Sequence, residues 1–327
     1  GSEGGETYVP LEDRARIVLT STPKFAKILS SKYSDLPVGG VVKDLFENHS
    51  RKVSRSLVQD TSEYVAAGIM SKAEDWTYEL PEFEEKVAAI GMGIDGAMLN
   101  LREEGWREGM VGSLTLYDKA GDRLTSVYLA APPEYGKDKF LTAMDEKIRF
   151  LGEKFPDATK VAVADGAKCN WSFLNERTDV QVLDFYHATE YVTKASEALF
   201  PKFDKQQKDW CEQSCHKLKH NKNGAISLLK EIRERARNIR VASARKTLSA
   251  VISYFKNNLQ RMRYKEQAEK NLPIGSGVTE AAAKTIIKQR LCLSGMRWLK
   301  KGVHTILALR TMAQSGTNWT QFWAKVS

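Results

Sequence analysis

Four acidic positions in this chain sit where a carboxylate can do chemistry. Asp95 and Asp165 each close an apolar run, Val87 to Ile94 and Val161 to Ala164, and each is followed by Gly-Ala. Glu280 falls in the first turn of an alanine-rich helix that opens after Pro273-Ile274-Gly275-Ser276-Gly277. The helix dipole favours a negative charge there, and Ser276, Gly277 and Thr279 are candidate caps. Asp184 ends a third apolar run, Val180 to Leu183, three residues before His187. Carboxylates gathered at strand ends repel, and one must take up a proton unless a cation joins them. Two Mg²⁺ (or Mn²⁺) ions about 3.5–4 Å apart remove that cost and suit in-line displacement at a phosphate. Asp95, Asp165 and Glu280 are the candidate ligands. Asp184 is either a fourth acid or the group that orients His187, which can donate to a phosphate or position a water. Plainer readings stand beside these. The aspartates suit strand-end turns, Asp184 a helix start, and Glu280 a cap salt-bridged to Lys284 and Lys288 at i+4 and i+8.

For these groups to meet, a sheet must carry the aspartates and a helix packed on it must carry the glutamate. Val87 to Asp95 reads as a buried strand, as do Val161 to Asp165 and Val180 to Asp184. Gly112 to Asp118 and Leu124 to Ala130 alternate about a glycine-containing turn, which predicts a hairpin, and Glu134 to Lys154 has helical periodicity. The order strand, hairpin, helix, strand, helix, strand, helix predicts a mixed α/β layer. From 188 to about 270 the pattern is helical throughout. Its clearest segment, Ala225 to Lys246, predicts one helix with an apolar stripe of Ile226, Leu229, Ile232, Ala236 and Ile239. Lys230, Arg233, Arg237 and Arg240 form the opposite, basic stripe. Tyr254, Phe255, Arg261, Arg263 and Tyr264 mix aromatics with cations, a pattern that either stacks bases or packs a helix. Ahead of the first strand, residues 11–75 read as short helices: Arg14 to Leu29 interrupted at Pro23, Val41 to Phe46, and Val53 to Met70. The last is predicted to start near Ser54 with Arg55. A helix-turn-helix is compatible with this, as is a scaffold or dimerisation unit.

Charge narrows the partner. The net charge is +9 over 327 residues, and residues 201–300 alone hold 23 Lys and Arg against 8 Asp and Glu. That third carries all the positive excess, as a surface facing a polyanion would. A content of 42% hydrophobic and 28% charged residues suits a soluble chain of two or three domains. No apolar run approaches the ~18 residues of a membrane span, and no secretory signal is present. Cys169, Cys211, Cys215 and Cys292 are too few and scattered for a disulfide scaffold, which predicts a reducing, cytoplasmic setting. Cys211, Cys215, His216 and His220 share helical spacing that could bind zinc, yet match no zinc module; Trp210, Cys215 and Leu218 serve equally as a core stripe.

Taken together, these residues resemble the DDE transposases of bacterial insertion sequences, nearest the Kra-type branch related to Mutator-like elements. The likeness is carried by Ile94-Asp95-Gly96, Arg107 to Gly112, Pro133-Glu134-Tyr135-Gly136-Lys137 and Ala164-Asp165-Gly166-Ala167 with Asn170-Trp171. It continues through Asp184-Phe185-Tyr186-His187, Pro273 to Glu280, Gln289 to Cys292 and Gly295-Met296-Arg297-Trp298. The resemblance implies an α/β RNase H-like mixed-sheet catalytic core with an all-α insertion domain and a helical N-terminal domain. Its boundaries would be 1–84 for the amino-terminal domain, 85–187 and 271–327 for the core, and 188–270 for the insertion. The family's two aspartates match Asp95 and Asp165, its glutamate matches Glu280, and its D-x-x-H motif matches Asp184 and His187. The implied activity is Mg²⁺-dependent cleavage at element ends, followed by attack of the freed 3′-hydroxyl on target DNA. The implied partners are double-stranded DNA, as terminal inverted repeats and target, and a second copy of the chain in a synaptic dimer. Localisation would be cytoplasmic, at the nucleoid when bound. Lys284, Lys288 and Arg290, extending from the helix of Glu280, would contact phosphates near the scissile bond, Arg297 is a further DNA-binding candidate, and the basic stripe would track flanking duplex. The chain departs from the family at Ala283, where cysteine is expected, and in having no cysteine-rich amino-terminal segment. A domesticated DNA-binding regulator and a non-transposing RNase H-like nuclease are the rival functions.

Overall fold

The computed structural model describes residues 16–72, 78–134, 137–202 and 205–326. The sequence readings at residues 1–15, Tyr135 and Gly136 lie outside them. Three antiparallel strands, β1 (Ala89–Leu101), β2 (Gly105–Tyr117) and β3 (Arg123–Ala131), form one side of the sheet, with β1 and β2 buried on both faces over much of their length. Two short apolar strands, β4 (Thr159–Ala164) and β5 (Val180–Leu183), run parallel to β1, giving the order β3-β2-β1-β4-β5. Helices α4 (Asp138–Lys154) and α5 (Lys168–Leu174) join β3 to β4 and β4 to β5. The fold is therefore mixed α/β around one five-stranded sheet.

One expectation needs correction. Asp95 does not end a strand: β1 runs six residues past it, because Ala97, Leu99 and Leu101 continue an alternation that buries one face. What ends near Asp95 is the partner. β4 pairs with β1 only from Ala89 to Met92, whereas β2 stays paired along the whole strand. Beyond Met92 the edge of β1 opens into a notch, and Asp95 stands in it.

Three helices precede the sheet. Thr22 caps α1 (Pro23–Asp35) by accepting from the Phe25 N–H, and α2 (Val38–His49) ends on left-handed Ser50. Ser54 Oγ accepts from the Leu57 N–H at 3.0 Å and starts α3 (Arg55–Ser71) where the sequence placed it. These helices have no core of their own. Leu29, Val41, Val58 and Val65 share one apolar cluster with Leu99 of β1 and with Ile286, Val303 and Ile306 near the carboxyl end. Two buried arginines close that junction. Arg310, on α13 (Lys300–Gln314), pairs with Asp35 and donates to the carbonyls of Ser34 and Thr285. Arg290 Nη2 donates to the Tyr33 and Leu36 carbonyls at the end of α1. Arg310→Met leaves those buried acceptors without donors, so urea denaturation is expected to show a loss of about 3 kcal/mol.

After β5 come α6 (Phe185–Leu199), α7 (Lys205–His220), α8 (Gly224–Ala236), α9 (Ala242–Asn258) and α10 (Tyr264–Glu269). They close on a second cluster that includes Val182, Val192, Leu218, Leu228, Ile232, Val251 and Phe255. The single helix expected from Ala225 to Lys246 is broken at 237–241, since α9 must fold back to bring Leu248, Val251 and Phe255 into that core. Leu228 takes the buried place assigned to Ile226, which is 56% exposed. Lys230 and Arg233 stay on α8, while Arg237 caps it and Arg240 lies in the turn; all four are exposed but form no continuous helical face. Among the described residues, Cys211, Cys215, His216 and His220 do not gather as a group of metal ligands. Burial and the neighbouring Cys211 push the Cys215 thiol up to about 12. Among the described residues, no helix is long and apolar enough to cross a membrane.

Candidate active site

A cleft of about 850 Å³ opens at the notch in β1. Asp95, Asp165, His187, Glu280, Lys284 and Lys288 all line it, although they come from separated stretches of chain. Asp95 Oδ1 accepts from the Gly96 N–H at 2.7 Å. Burial raises the Asp95 pKa; the Gly96 N–H and Lys288 oppose that rise, and the charges of Asp165 and Glu280 add to it. Asp165 follows β4 directly and accepts from the Ala167 N–H at 3.0 Å and from Asn170 Nδ2 at 3.3 Å. Its carbonyl is held by Trp171 Nε1 at 2.7 Å, so the turn that aims the carboxylate is fixed from both sides.

Asp184 lies fully buried beneath this surface, at the start of α6. Its Oδ1 accepts from the His187 N–H at 2.7 Å and faces His187 Nδ1 at 3.1 Å, while Oδ2 accepts from the Ser276 N–H. Asp184 thus ties the chain returning from the helical stretch to the end of β5, helped by the Phe185 N–H donating to the Ile274 carbonyl. With Nδ1 directed at Asp184, the Nε2 of His187 is left for other partners. Burial disfavours its protonation, but Asp184, Glu190 and Glu280 outweigh that and raise its pKa. Glu280 Oε1 lies 3.9 Å from His187 Nδ1 and accepts from Ser276 Oγ at 2.8 Å. Ser276 therefore sits at the cap position but serves the side chain of Glu280 instead of a backbone N–H.

Glu280 reaches the cleft because α11 (Gly277–Ala282) lies directly on the sheet. Thr279, buried, bonds Ser113 of β2 at 2.6 Å and rests over Gly93, the β1 residue opposite Ser113. A Cβ at Gly93 would overlap Thr279 Oγ1. Gly93 is therefore the clearance that brings Glu280 to Asp95, two residues further along β1. The helix then widens into a π-helical turn, Ala283–Lys288, before α12 (Gln289–Leu291). Such bulges concentrate at functional sites. Lys284 and Lys288 still face the cleft. Arg290 does not: it is 2% exposed and stacked between Tyr33 and Trp298. Burial pulls its guanidinium down to about 10, and its expected phosphate contact is withdrawn for a role in the α1 junction. Arg297 is exposed but lies on the 291–297 loop outside this cleft, with Nη2 donating to the Arg102 carbonyl at 3.4 Å.

Among the described residues, the group whose ligand atoms all lie within 4.8 Å of one another is Asp184, His187 and Glu280, and it could hold a metal ion. Asp95, Asp165 and Glu280 share the cleft without converging that tightly. The donor chemistry distinguishes the two sets. The Asp184 oxygens already accept from two backbone N–H groups and a ring, whereas Asp95 carries one backbone donor and a pKa raised by burial and like charge. A hard divalent cation relieves that strain, and carboxylate oxygens are its preferred ligands.

Several site residues were not singled out from sequence. Glu190 adds a further carboxylate to the cleft, one turn after His187, and was hidden in an ordinary helical pattern. Tyr254, which the sequence named as an aromatic that stacks bases or packs a helix, lies on α9, stacks on Tyr191 with ring centroids 3.6 Å apart and presses against Gly166, beside Asp165. Asn170 and Trp171 were visible only as parts of a motif, and Ser113 not at all. No family model matches the chain, and a search of curated proteins likewise finds no match.

Proposed function

We propose that the protein is a DDE transposase of the insertion-sequence type, cutting element-end DNA and joining the 3′-hydroxyl to a target. The observation that carries this reading is the cleft that Asp95, Asp165 and Glu280 line together with Lys284 and Lys288. Supporting it are the strand order β3-β2-β1-β4-β5 and the helical stretch between β5 and α11, as an RNase H-like core with an insertion would have. In this reading the core is 85–187 and 271–327, the insertion 188–270 and the amino-terminal domain 1–84.

Asp95, Asp165 and Glu280 would hold two divalent ions, Mg²⁺ or Mn²⁺. When bound, these supply charge neutralisation at the scissile phosphate and its attacking and leaving oxygens. The rest falls to the chain. Lys284 and Lys288 balance phosphate charge at the cleft wall. Asp184 holds His187 Nδ1, so that Nε2 can receive or return a proton from the attacking water or hydroxyl. In the first displacement water attacks the phosphodiester, leaving a 3′-hydroxyl and a 5′-phosphate; in the second that hydroxyl attacks a target phosphodiester, forms the joining bond and releases the target's own 3′-hydroxyl. Positioning and electrostatics provide the rate.

The test uses a duplex carrying the element's terminal inverted repeat, a supercoiled target, and Mg²⁺. Joined products are expected; cuts without joining would leave a nuclease, and DNA binding with neither would leave a regulator. The four exposed cations at the end of α8 and in the turn after it are tested separately. Replacing Lys230, Arg233, Arg237 and Arg240 with glutamine is expected to weaken DNA binding. It should also flatten the salt dependence, by about 0.9 in log–log slope for each phosphate that is no longer neutralised. An unchanged slope would show that these cations face solvent or protein.

A further inference from the structure

Two residues of the helical stretch between β5 and α11 stay outside the cleft yet reach the turn that carries Asp165. Arg261 ends a 3₁₀ turn, Leu259–Arg261, that leaves α9. Its guanidinium carbon stands 4.2 Å from the centroid of the Trp171 ring, and Nη2 donates to Asn175 Oδ1 at 3.1 Å. Trp171 is the buried residue whose Nε1 holds the Asp165 carbonyl, and Asn175 closes the far end of α5. Arg261 therefore grips α5 at the residue that aims Asp165 and again at its end. Tyr254 closes the other side of the turn. Its ring, held flat against Tyr191, leaves Gly166 no room: a Cβ there would stand 2.6 Å from Tyr254 Cε2.

Plain packing does not explain the choice of arginine. Among the described residues no carboxylate pairs with Arg261, and its Nε is buried without an acceptor. Burying part of a cation without a counter-charge costs stability, so an apolar side chain of similar length would fill the place better. What arginine adds is charge over the indole. A cation on an aromatic face is attracted by the ring and polarises the N–H at its edge, which strengthens that donor's bond to the Asp165 carbonyl.

We infer that Arg261 is a positioning residue for Asp165, acting through Trp171, with Tyr254 as the wall that stops the turn from moving back. The inference rests on the reading of Asp165 as a metal ligand. Under it, the helical stretch fixes one of the three acids in place, in addition to presenting cations to DNA.

The experiment measures Mn²⁺ binding to the full chain without DNA, from the electron paramagnetic resonance signal of the free ion. Arg261→Met keeps the apolar stem and removes the charge. Trp171→Phe keeps a ring face and loses the N–H. Each is expected to weaken binding about 10-fold, as loss of a group that orients a ligand does, and the pair no more than either alone. In an Asp165→Asn background neither should cause a further loss. Arg261→Lys, which keeps a cation over the ring, should recover part of the affinity. In Mg²⁺-dependent cleavage, Arg261→Met should lower kcat by a similar factor with duplex affinity unchanged. Wild-type Mn²⁺ affinity in Arg261→Met, or a loss of equal size in the Asp165→Asn background, would overturn the positioning role and leave the functional reading intact. A wild-type chain whose Mn²⁺ binding is indifferent to Asp165→Asn would overturn both.

Discussion

Asp95→Asn, Asp165→Asn and Glu280→Gln are each expected to lower Mg²⁺-dependent cleavage and joining by about 10³-fold or more, with DNA binding retained. Each change preserves shape and removes a negative charge. The folded state should not suffer, because Asp95 is a carboxylate whose ionisation burial already opposes. Thermal melting of Asp95→Asn should therefore match or exceed wild type without divalent ions. Added Mg²⁺ should stabilise wild type more than the variant, since a ligand that binds only the native site adds to its stability. The charge requirement separates an ion site from acids that merely cap turns. A cap tolerates asparagine, and an ion site does not.

Gly93→Ala is the second large effect, and it comes from a residue with no chemistry of its own. The added methyl would occupy the place of Thr279 Oγ1, which is itself bonded to Ser113. Neither neighbour can yield freely, so α11 must lift. Overpacking of this kind costs about 1–3 kcal/mol. The displacement also carries Glu280 away from Asp95 and Asp165, and a shift near 1 Å is expected to cost about 100-fold in rate. Thr279→Ala in the same background removes the obstructing hydroxyl and should restore part of both losses. An active, fully stable Gly93→Ala would show that α11 does not rest on β1 as described.

Much of this site was legible in the sequence, for identifiable reasons. Asp165 and Asp184 announced themselves because short, valine-rich strands end abruptly at them. Ser54 marked the start of α3 by ordinary capping chemistry. Other features depended on partners far along the chain. The continuation of β1 past Asp95 follows from its pairing with β2, which no local run of residues encodes. Arg290 has the sequence context of a surface cation two residues after Lys288, and only the end of α1, more than 250 residues away, explains its burial. The break between α8 and α9 likewise reflects where Phe255 must go rather than any proline or glycine. Glycines were recognised as punctuation before Glu280, but the glycine that decides its position, Gly93, was read simply as part of an apolar strand.

Two ligand sets overlap at Glu280, and the proposed chemistry depends on which of them takes the ion. Anomalous scattering from crystals soaked in Mn²⁺, or grown with it and an element-end duplex, locates the metal directly. The expected map has its density bounded by Asp95, Asp165 and Glu280, with Asp184 retained on the N–H groups of His187 and Ser276. Density held by Asp184, His187 and Glu280, with none touching Asp95 or Asp165, would contradict the assignment.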